Sequence, residues 1–518
     1  MIYDTVSNDS PRELPKSRLP TLYKYIQEYE NAFTETLKEV VAIQSISQQS
    51  DCFSNIVKML NLCEKKLKDL GAIVEIVENN DIVNRKKLPP VLFGNLFTDA
   101  DLKTVCVYGY VDTLPAKKSD GWETEPFNLI EKNGRLYGRG ASDNKGPLLC
   151  WLHALEIYKT TKNDIPVNIK FVIEGSAKLR SHGLDNILVT KREFFEDVDF
   201  MCLTVDKTSQ EVPCLKYGFR GVSHFSLEVI CAERSIHSGI YGGAFNQPLI
   251  DAVNILSSLV DKNGKIAVSE ILRDVQDISH REESIIRDIP FDVAKIKQKL
   301  GTTHLRHKEK PIRVIMHKTK LPSVSFHGFK MEFESVNKRS HAVVPNKCLK
   351  IIYDFSLSFY TRKFSALLTN LIVLITFRVV GKFSVRLVTN QTAIETFGHL
   401  DNYIRKIWQQ CKSTNQYKFQ MDFGINPWQE DPCDSHYCAA AKAIELVYGV
   451  KPMYLCEGST MPCIAMFKSI SPNSNLIVLP IGEYDSVPDS CKESISKISY
   501  LNGIKLVMAY LCYINEIK

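Results

Sequence analysis

Apolar residues near the N-terminus recur at helical spacing. From 22 to 43 they include Tyr25, Ile26, Phe33 and Leu37, which predicts a long amphipathic helix. A second helix is predicted over 54–70. Apolar runs of strand length follow, and the predicted strands are 73–77, 90–95, 104–109 and 167–174. With a predicted helix at 147–159 between the last two, the pattern favours a mixed α/β sheet, in which chemistry collects at strand ends.

The pattern changes from residue 217 onward. Alternating strands are predicted at 222–230 and 379–387, around a helix at 248–259. The α/β pattern then resumes near 390. The prediction is therefore a discontinuous α/β domain with a smaller α+β domain inserted in it. Its divisions are a polar tail at 1–21, the α/β domain at 22–215 and 390–518, and the inserted domain at 216–389.

Composition narrows the class of protein. Hydrophobic residues make up 44% and charged residues 24% of the chain, as in soluble globular proteins. The net charge of +6 is small for 518 residues and both signs are interspersed, so neither a nucleic acid nor a membrane partner is predicted. The 15 cysteines form no CxxC pair, and the first residues lack the apolar segment of a secretory signal. A cytoplasmic location is the resulting expectation.

Several motifs are spread along nearly the whole chain. They are 109–112 (Gly-Tyr-Val-Asp), 120–122 (Asp-Gly-Trp), 136–147, 217–221, 236–243, 381–387 and 457–459. Together they resemble the cytosolic dipeptidase and carnosinase branch of the aminoacylase-like zinc metallopeptidases. The resemblance implies that the large domain binds two zinc or manganese ions and that the inserted lid domain pairs the chain into a homodimer. It also implies hydrolysis of a dipeptide by a metal-bound water, with a nearby Glu taking the proton.

At several metal-site positions that the resemblance assigns, this chain has a different residue type from the family. Tyr110 stands where the family has a His ligand, while Asp112 matches the Asp that orients that ring. Asp143 matches the carboxylate that bridges the two ions, although an Asp at a helix start is also a common N-cap. Ala177 and Lys178 replace the general base and a Glu ligand. The base is therefore lost, and one ligand position carries the opposite charge.

Two further metal positions follow from the same comparison. Asp206 can serve as a ligand in a loop whose register is uncertain, and Asp489 stands where the family has the last His. We hypothesise that Lys178 occupies the site as a counter-ion to Asp143, Asp206 and Asp489, because unpaired acids in a cleft are costly. The alternative is that Lys178 points into solvent.

The resemblance also assigns substrate contacts. His237 matches a residue that reaches the partner's site and stabilises the oxyanion, although such a His can be purely structural. Arg386 matches the arginine that holds the substrate carboxylate, against the alternative of an outward strand Arg, and Thr460 stands where a Ser helps it. Phe423 stands at a position where the family has another His.

Residues 348–377 fit neither the α/β pattern nor the inserted domain. Their apolar run at 366–377 is too short for a membrane span, which needs about 20 residues. A surface loop, a dimer contact and translated non-coding sequence remain open.

Two functions are compatible with these residues. One is a non-catalytic relative that binds dipeptide-like molecules or pairs with a homologue as a heterodimer, and it follows from Tyr110, Ala177 and Lys178. The other is an active metal-dependent dipeptidase with a rearranged site, because fold resemblance alone does not decide activity.

Overall fold

The computed structural model describes residues 15–83, 86–204, 212–233, 236–332, 374–375, 378–481 and 490–517. The strands, in chain order, are β1 Ile73–Val77, β2 Ile82–Val83, β3 Lys86–Lys87, β4 Val91–Leu96, β5 Thr104–Tyr110, β6 Ile130–Lys132, β7 Arg135–Tyr137, β8 Asn168–Glu174, β9 Phe200–Leu203, β10 Cys214–Phe219, β11 Gly221–Ile230, β12 Ile236–His237, β13 Ser323–Glu332, β14 Leu374–Ile375, β15 Arg378–Leu387, β16 Gln416–Ile425, β17 Trp428–Gln429, β18 Met453–Glu457, β19 Asn475–Val478 and β20 Ser494–Ser496.

The α-helices are Leu19–Glu28, Glu30–Ala42, Phe53–Leu70, Lys145–Thr160, Leu184–Thr190, Ser238–Tyr241, Pro248–Ser258, Ser269–Arg273, His280–Asp288, Val293–Leu300, Pro311–Thr319, Ala393–Cys411, Ser435–Tyr448, Pro462–Ile470 and Lys497–Asn515. The predicted helix over 22–43 thus begins earlier, at Leu19, and is interrupted at Tyr29. In the described ranges, no helix is long and apolar enough to cross a bilayer.

The large domain is built on a nine-stranded mixed sheet with helices on both faces. Its order is β1-β4-β8-β5-β9-β19-β10-β17, and β18 pairs with β10. All of β5 is buried, and its side chains alternate between two apolar clusters: Val105 and Val107 lie in one, Cys106 and Tyr108 in the other. Both faces are therefore covered, as the continuous apolar run predicts. The predicted fold class is confirmed.

The inserted domain is a four-stranded antiparallel sheet of order β13-β15-β11-β16. One face packs against the helices Pro248–Ser258 and Ala393–Cys411 through residues such as Phe225 and Phe383. Because β16 pairs with β11 along its length, the chain returns to the large sheet only at β17. This differs from the predicted boundary at 389, which left Ala393–Cys411 and β16 in the large domain.

The two connections between the domains run side by side. One passes through Arg220, between β10 and β11, and the other through Asn426 and Pro427. A Cβ on Gly221 would stand 2.5 Å from the carbonyl oxygen of Ile425 and 2.7 Å from the nitrogen of Pro427. Only glycine allows this approach, so the two connections are closely packed against each other.

Of the atypical segment 348–377, the structure describes only 374–375. These two residues form β14, which pairs antiparallel with β12 in the motif 236–243. The other residues of the segment lie outside the described ranges, and the three interpretations of it stay open.

Candidate active site

The candidate site lies where β5 and β8 end at the same edge of the large sheet. These strands are parallel, and Tyr110 pairs with Glu174 at their last positions. Asp112 follows β5, and the turn Ala177–Leu179 follows β8. The parallel topology thus brings together residues that stand far apart in sequence.

Asp112 is fully buried and holds the turn that follows β8. Its Oδ1 accepts a hydrogen bond from the backbone N–H of Ala177 at 3.0 Å, and its Oδ2 accepts from the N–H of Lys178 at 2.8 Å. The hydroxyl of Ser47 donates to the same Oδ2 at 2.6 Å. Burial raises the pKa of Asp112, and these hydrogen bonds oppose that shift. Asp112 therefore fixes the backbone that presents Lys178.

Asp143 and Lys178 form a buried ion pair. The Nζ of Lys178 lies 2.8 Å from Oδ2 of Asp143, and the two side chains are 10% and 3% exposed. The hydroxyl of Tyr110 donates to Oδ1 of the same carboxylate. Lys178 Nζ also lies 5.2 Å from the centroid of the Tyr110 ring. The predicted counter-ion pairing is confirmed for Asp143, and the solvent-facing alternative for Lys178 is wrong.

Asp143 is not the N-cap of the following helix. That helix runs from Lys145 to Thr160, with Asn144 at the cap position. The N-cap alternative for Asp143 is therefore wrong. Its carboxylate is turned instead toward Tyr110 and Lys178.

The described residues at this site do not fit a two-ion centre. A metal-bridging carboxylate needs both oxygens for cations, whereas Asp143 accepts from a phenol and an ammonium. The side chain of Ala177 has no atom that could bind a metal or take a proton. Over the ranges that the structure covers, no group of three His, Cys, Asp or Glu side chains could hold a metal ion. Asp206 and Asp489 lie outside the described residues.

A second carboxylate, Glu493, organises the loop that carries Asp143. It is completely buried, and its Oε1 accepts from the backbone N–H groups of Gly140 at 2.9 Å, Ser142 at 3.3 Å and Asp143 at 3.2 Å. Its Oε2 lies 2.8 Å from Nη1 of Arg139. Sequence analysis did not find this role, because the partners are mainly backbone groups about 350 residues away.

Two more buried charges support the same region. Lys145 donates to the carbonyl oxygens of Val40 at 2.8 Å and Ile43 at 2.7 Å, at the end of the helix Glu30–Ala42. Burial lowers the pKa of Lys145 to about 7.

The other buried charge is Glu174, at the end of β8. It accepts hydrogen bonds from Tyr108, from Ser181 at 2.6 Å and from Ser176 at 3.0 Å. Burial raises the pKa of Glu174 to about 7, although these hydrogen bonds favour the anion. Sequence analysis missed Glu174 as well, since a strand-end Glu carries no signal of burial.

Two predicted substrate residues meet at the junction between the domains. Nη1 of Arg386, on β15, donates to Oγ1 of Thr460 at 2.8 Å. The Thr460 hydroxyl donates in turn to the carbonyl oxygen of Arg220 at 2.6 Å. Arg386 is half-buried, and burial lowers its pKa. It is therefore not an outward strand arginine. For His237, in β12, the side chain lies outside the described part of the chain.

Comparison with known proteins finds similar sequences and structures over nearly the whole chain. Residues 106–512 match the family described as Peptidase family M20/M25/M40. The chain is 32% identical over 506 residues to the Beta-Ala-His dipeptidase of Mus musculus, covering 96% of each protein. It is 29% identical to the Cys-Gly metallodipeptidase dug1 of Schizosaccharomyces pombe, covering 96% of this chain and 98% of that protein. The crystal structure of human carnosine dipeptidase 1 superposes with a TM-score of 0.74 at 30% identity, covering 96% of this chain and 99% of that one.

Proposed function

Because this chain belongs to the M20/M25/M40 peptidase family, we propose that it binds dipeptide-like molecules and lacks the two-metal hydrolysis expected from the family resemblance. The observation that carries the proposal is the ion pair between Lys178 and Asp143. An ammonium at 2.8 Å supplies the positive charge that a metal would bring to this carboxylate. A zinc or manganese ion would have to displace it.

Retention of a peptide-binding surface is supported at the domain junction. Arg386 keeps a planar guanidinium, the group best shaped for a carboxylate, and Thr460 holds it in place. These residues are the part of the predicted site that departs least from the family pattern. The ligand is therefore a small molecule with a free carboxylate, such as a dipeptide.

The proposal extends to assembly and location. We expect a homodimer, or a heterodimer with a homologue, formed by the inserted domain. Phe326 and Phe329 on the edge strand β13 are 45% and 38% exposed, as suits a partner surface. A cytoplasmic location is supported by the free, buried thiols of Cys63, Cys106 and Cys202.

The first test measures metal content and hydrolysis in one sample. The purified chain is analysed for zinc and manganese, then assayed with a dipeptide in the presence of added manganese. The proposal expects neither bound metal nor turnover from a folded protein that binds the peptide. About two metals per chain together with turnover would refute it.

A second test restores the family's residue types. Tyr110→His, Ala177→Glu and Lys178→Glu are combined in one variant, which we expect to bind zinc or manganese where the wild type does not. Lys178→Met is the matched control, because it removes the ammonium without adding a ligand. Equal metal binding by the wild type, the control and the triple variant would contradict our assignment of these positions.

An active dipeptidase with a rearranged metal site is the second candidate. Identity of 32% across 96% of a named dipeptidase supports it. On this alternative, metal binding displaces Lys178 from Asp143, and turnover then follows from ligands outside the described residues. The first test separates the two functions directly.

A further inference from the structure

The inserted sheet presents two imidazoles on the face opposite its helices. His224 on β11 stands directly across from Ser384 on β15 and from Phe423 on β16. Its ring centroid lies 4.4 Å from that of Phe423 and 5.5 Å from that of His327. Nε2 of His327 lies 2.8 Å from Oγ of Ser384. His224, Ser384 and Phe423 are directly opposed and share a face, and His327, at a bulge of β13, joins this row through its contacts with Ser384 and His224.

Two arginines flank this row from different domains. Arg386 follows Ser384 by two residues on β15, so it lies on the same face as His224, at a diagonal spacing of about 7–8 Å. Arg180 comes from the large domain, and its guanidinium carbon lies 5.3 Å from the centroid of the Phe423 ring. Arg180 is the left-handed C-cap, with a φ of 64°, of the short helix Ala177–Leu179 that follows β8.

We call His224, His327, Arg180 and Arg386 the basic face. The pKa of His224 is lowered first by burial and then by His327, Arg180 and Arg386, so His224 lies within the electrostatic reach of the other three groups. The two arginines stay positively charged, so an anion bound beside them is favoured.

Neighbouring charges do little to offset this positive charge. Burial and Arg386 lower the pKa of Arg220 to about 10, and Glu457 acts in the opposite direction. The acid that acts on His224 is Asp422, which already accepts hydrogen bonds from Ser226 at 2.9 and 2.6 Å and lies 3.7 Å from Nζ of Lys382. An anionic ligand would therefore gain from the whole basic face.

We propose that His224 and Arg180 form a second carboxylate subsite beside Arg386, so that the ligand is a peptide whose C-terminal residue is acidic. Arg386 takes the main-chain carboxylate, while His224 and Arg180 take the side-chain carboxylate. The inference rests on the proposed function, because it presupposes a peptide ligand. The diagonal spacing suits two carboxylates on one residue, and each gains charge-assisted hydrogen bonds.

The test compares two peptides of nearly equal shape. Binding of Ala-Glu and Ala-Gln to the full chain is measured by titration calorimetry at pH 7. We expect Ala-Glu to bind about tenfold more tightly, the effect of one additional charge-assisted contact. Arg180→Gln and His224→Phe should each reduce that ratio toward one, and His224→Phe keeps an aromatic ring against Phe423. Lys418→Gln is the matched control, because Lys418 is an exposed residue of β16 five positions from Phe423. It should keep the tenfold preference for Ala-Glu over Ala-Gln.

Each other outcome overturns a different claim. Equal binding of Ala-Glu and Ala-Gln would overturn the second subsite and leave the proposed function standing. Failure of both peptides to bind would overturn both. If inorganic phosphate binds as tightly as Ala-Glu, the basic face is a general anion site and the assignment to acidic peptides is wrong.

Discussion

Replacing Lys178 by methionine tests whether the ion pair with Asp143 neutralises the candidate site. The substitution keeps most of the side-chain volume but removes an ammonium 2.8 Å from a carboxylate that is 3% exposed. Removing one partner of a buried pair costs about 3–5 kcal/mol, because the other charge is left buried. The hydroxyl of Tyr110 still donates to Asp143, so we expect the lower end, about 3 kcal/mol.

The assay is denaturant unfolding followed by tryptophan fluorescence, with each transition fitted separately, since a chain of two domains need not unfold in one step. Adding Asp143→Asn to Lys178→Met removes both charges and should recover most of the loss, which gives a coupling energy by double-mutant cycle. Lys132→Met is the control, because its pair with Glu123 is exposed and should have no measurable effect. A loss below about 0.5 kcal/mol for Lys178→Met would refute the buried-pair reasoning.

Four further outcomes follow from the site. Glu174 has a pKa of about 7 in the folded chain, against 4.5 when unfolded. The folded state therefore binds the proton more tightly, and the free energy of unfolding should fall as pH rises between these values. Glu174→Gln should remove this pH dependence, as measured by denaturant unfolding at several pH values. Lys145 shows the opposite case, with a folded pKa of about 7 against 10.5, so stability should rise with pH over that window in the wild type but not in Lys145→Met. Glu493→Gln should destabilise the chain by about 1–3 kcal/mol, measured by denaturant unfolding, because buried N–H groups and Arg139 lose their charged acceptor. Arg386→Gln should weaken dipeptide binding by about tenfold or more in calorimetry, whereas unchanged affinity would exclude the carboxylate role.

Strands that form mainly apolar runs in the sequence were predicted well. The strand predicted at 73–77 coincides with β1, and the apolar run at 104–109 identifies all but the last residue of β5. Periodicity did not show the interruption at Tyr29, because apolar spacing continues across the break. The extent of the inserted domain was missed for a similar reason: the amphipathic helix Ala393–Cys411 shows which face is buried but not which sheet it covers.

Within the site, the sequence predicted the reversal of charge at Lys178 and its pairing with a carboxylate. The family resemblance places Lys178 and Asp143 in one site, and a lysine at a ligand position there implies a counter-ion to the carboxylate, as their contact shows. Glu493 could not be predicted, because its acceptor role depends on backbone N–H groups that any residue type supplies. The basic face could not be predicted either, since it depends on strand register and on a contact between domains.

The Asp143–Lys178 pair and the basic face differ in how their charges are balanced. In the large domain, Asp143 is balanced by Lys178, so this half has no strong need for an added cation. On the side of the inserted sheet, burial and then His327, Arg180 and Arg386 lower the pKa of His224, and a ligand anion would offset the positive charge of the two arginines. On our proposal, Lys178 stands in place of a metal, and binding of an anion is the interaction that the site still favours. From these two sets of contacts we therefore propose binding by charge without hydrolysis.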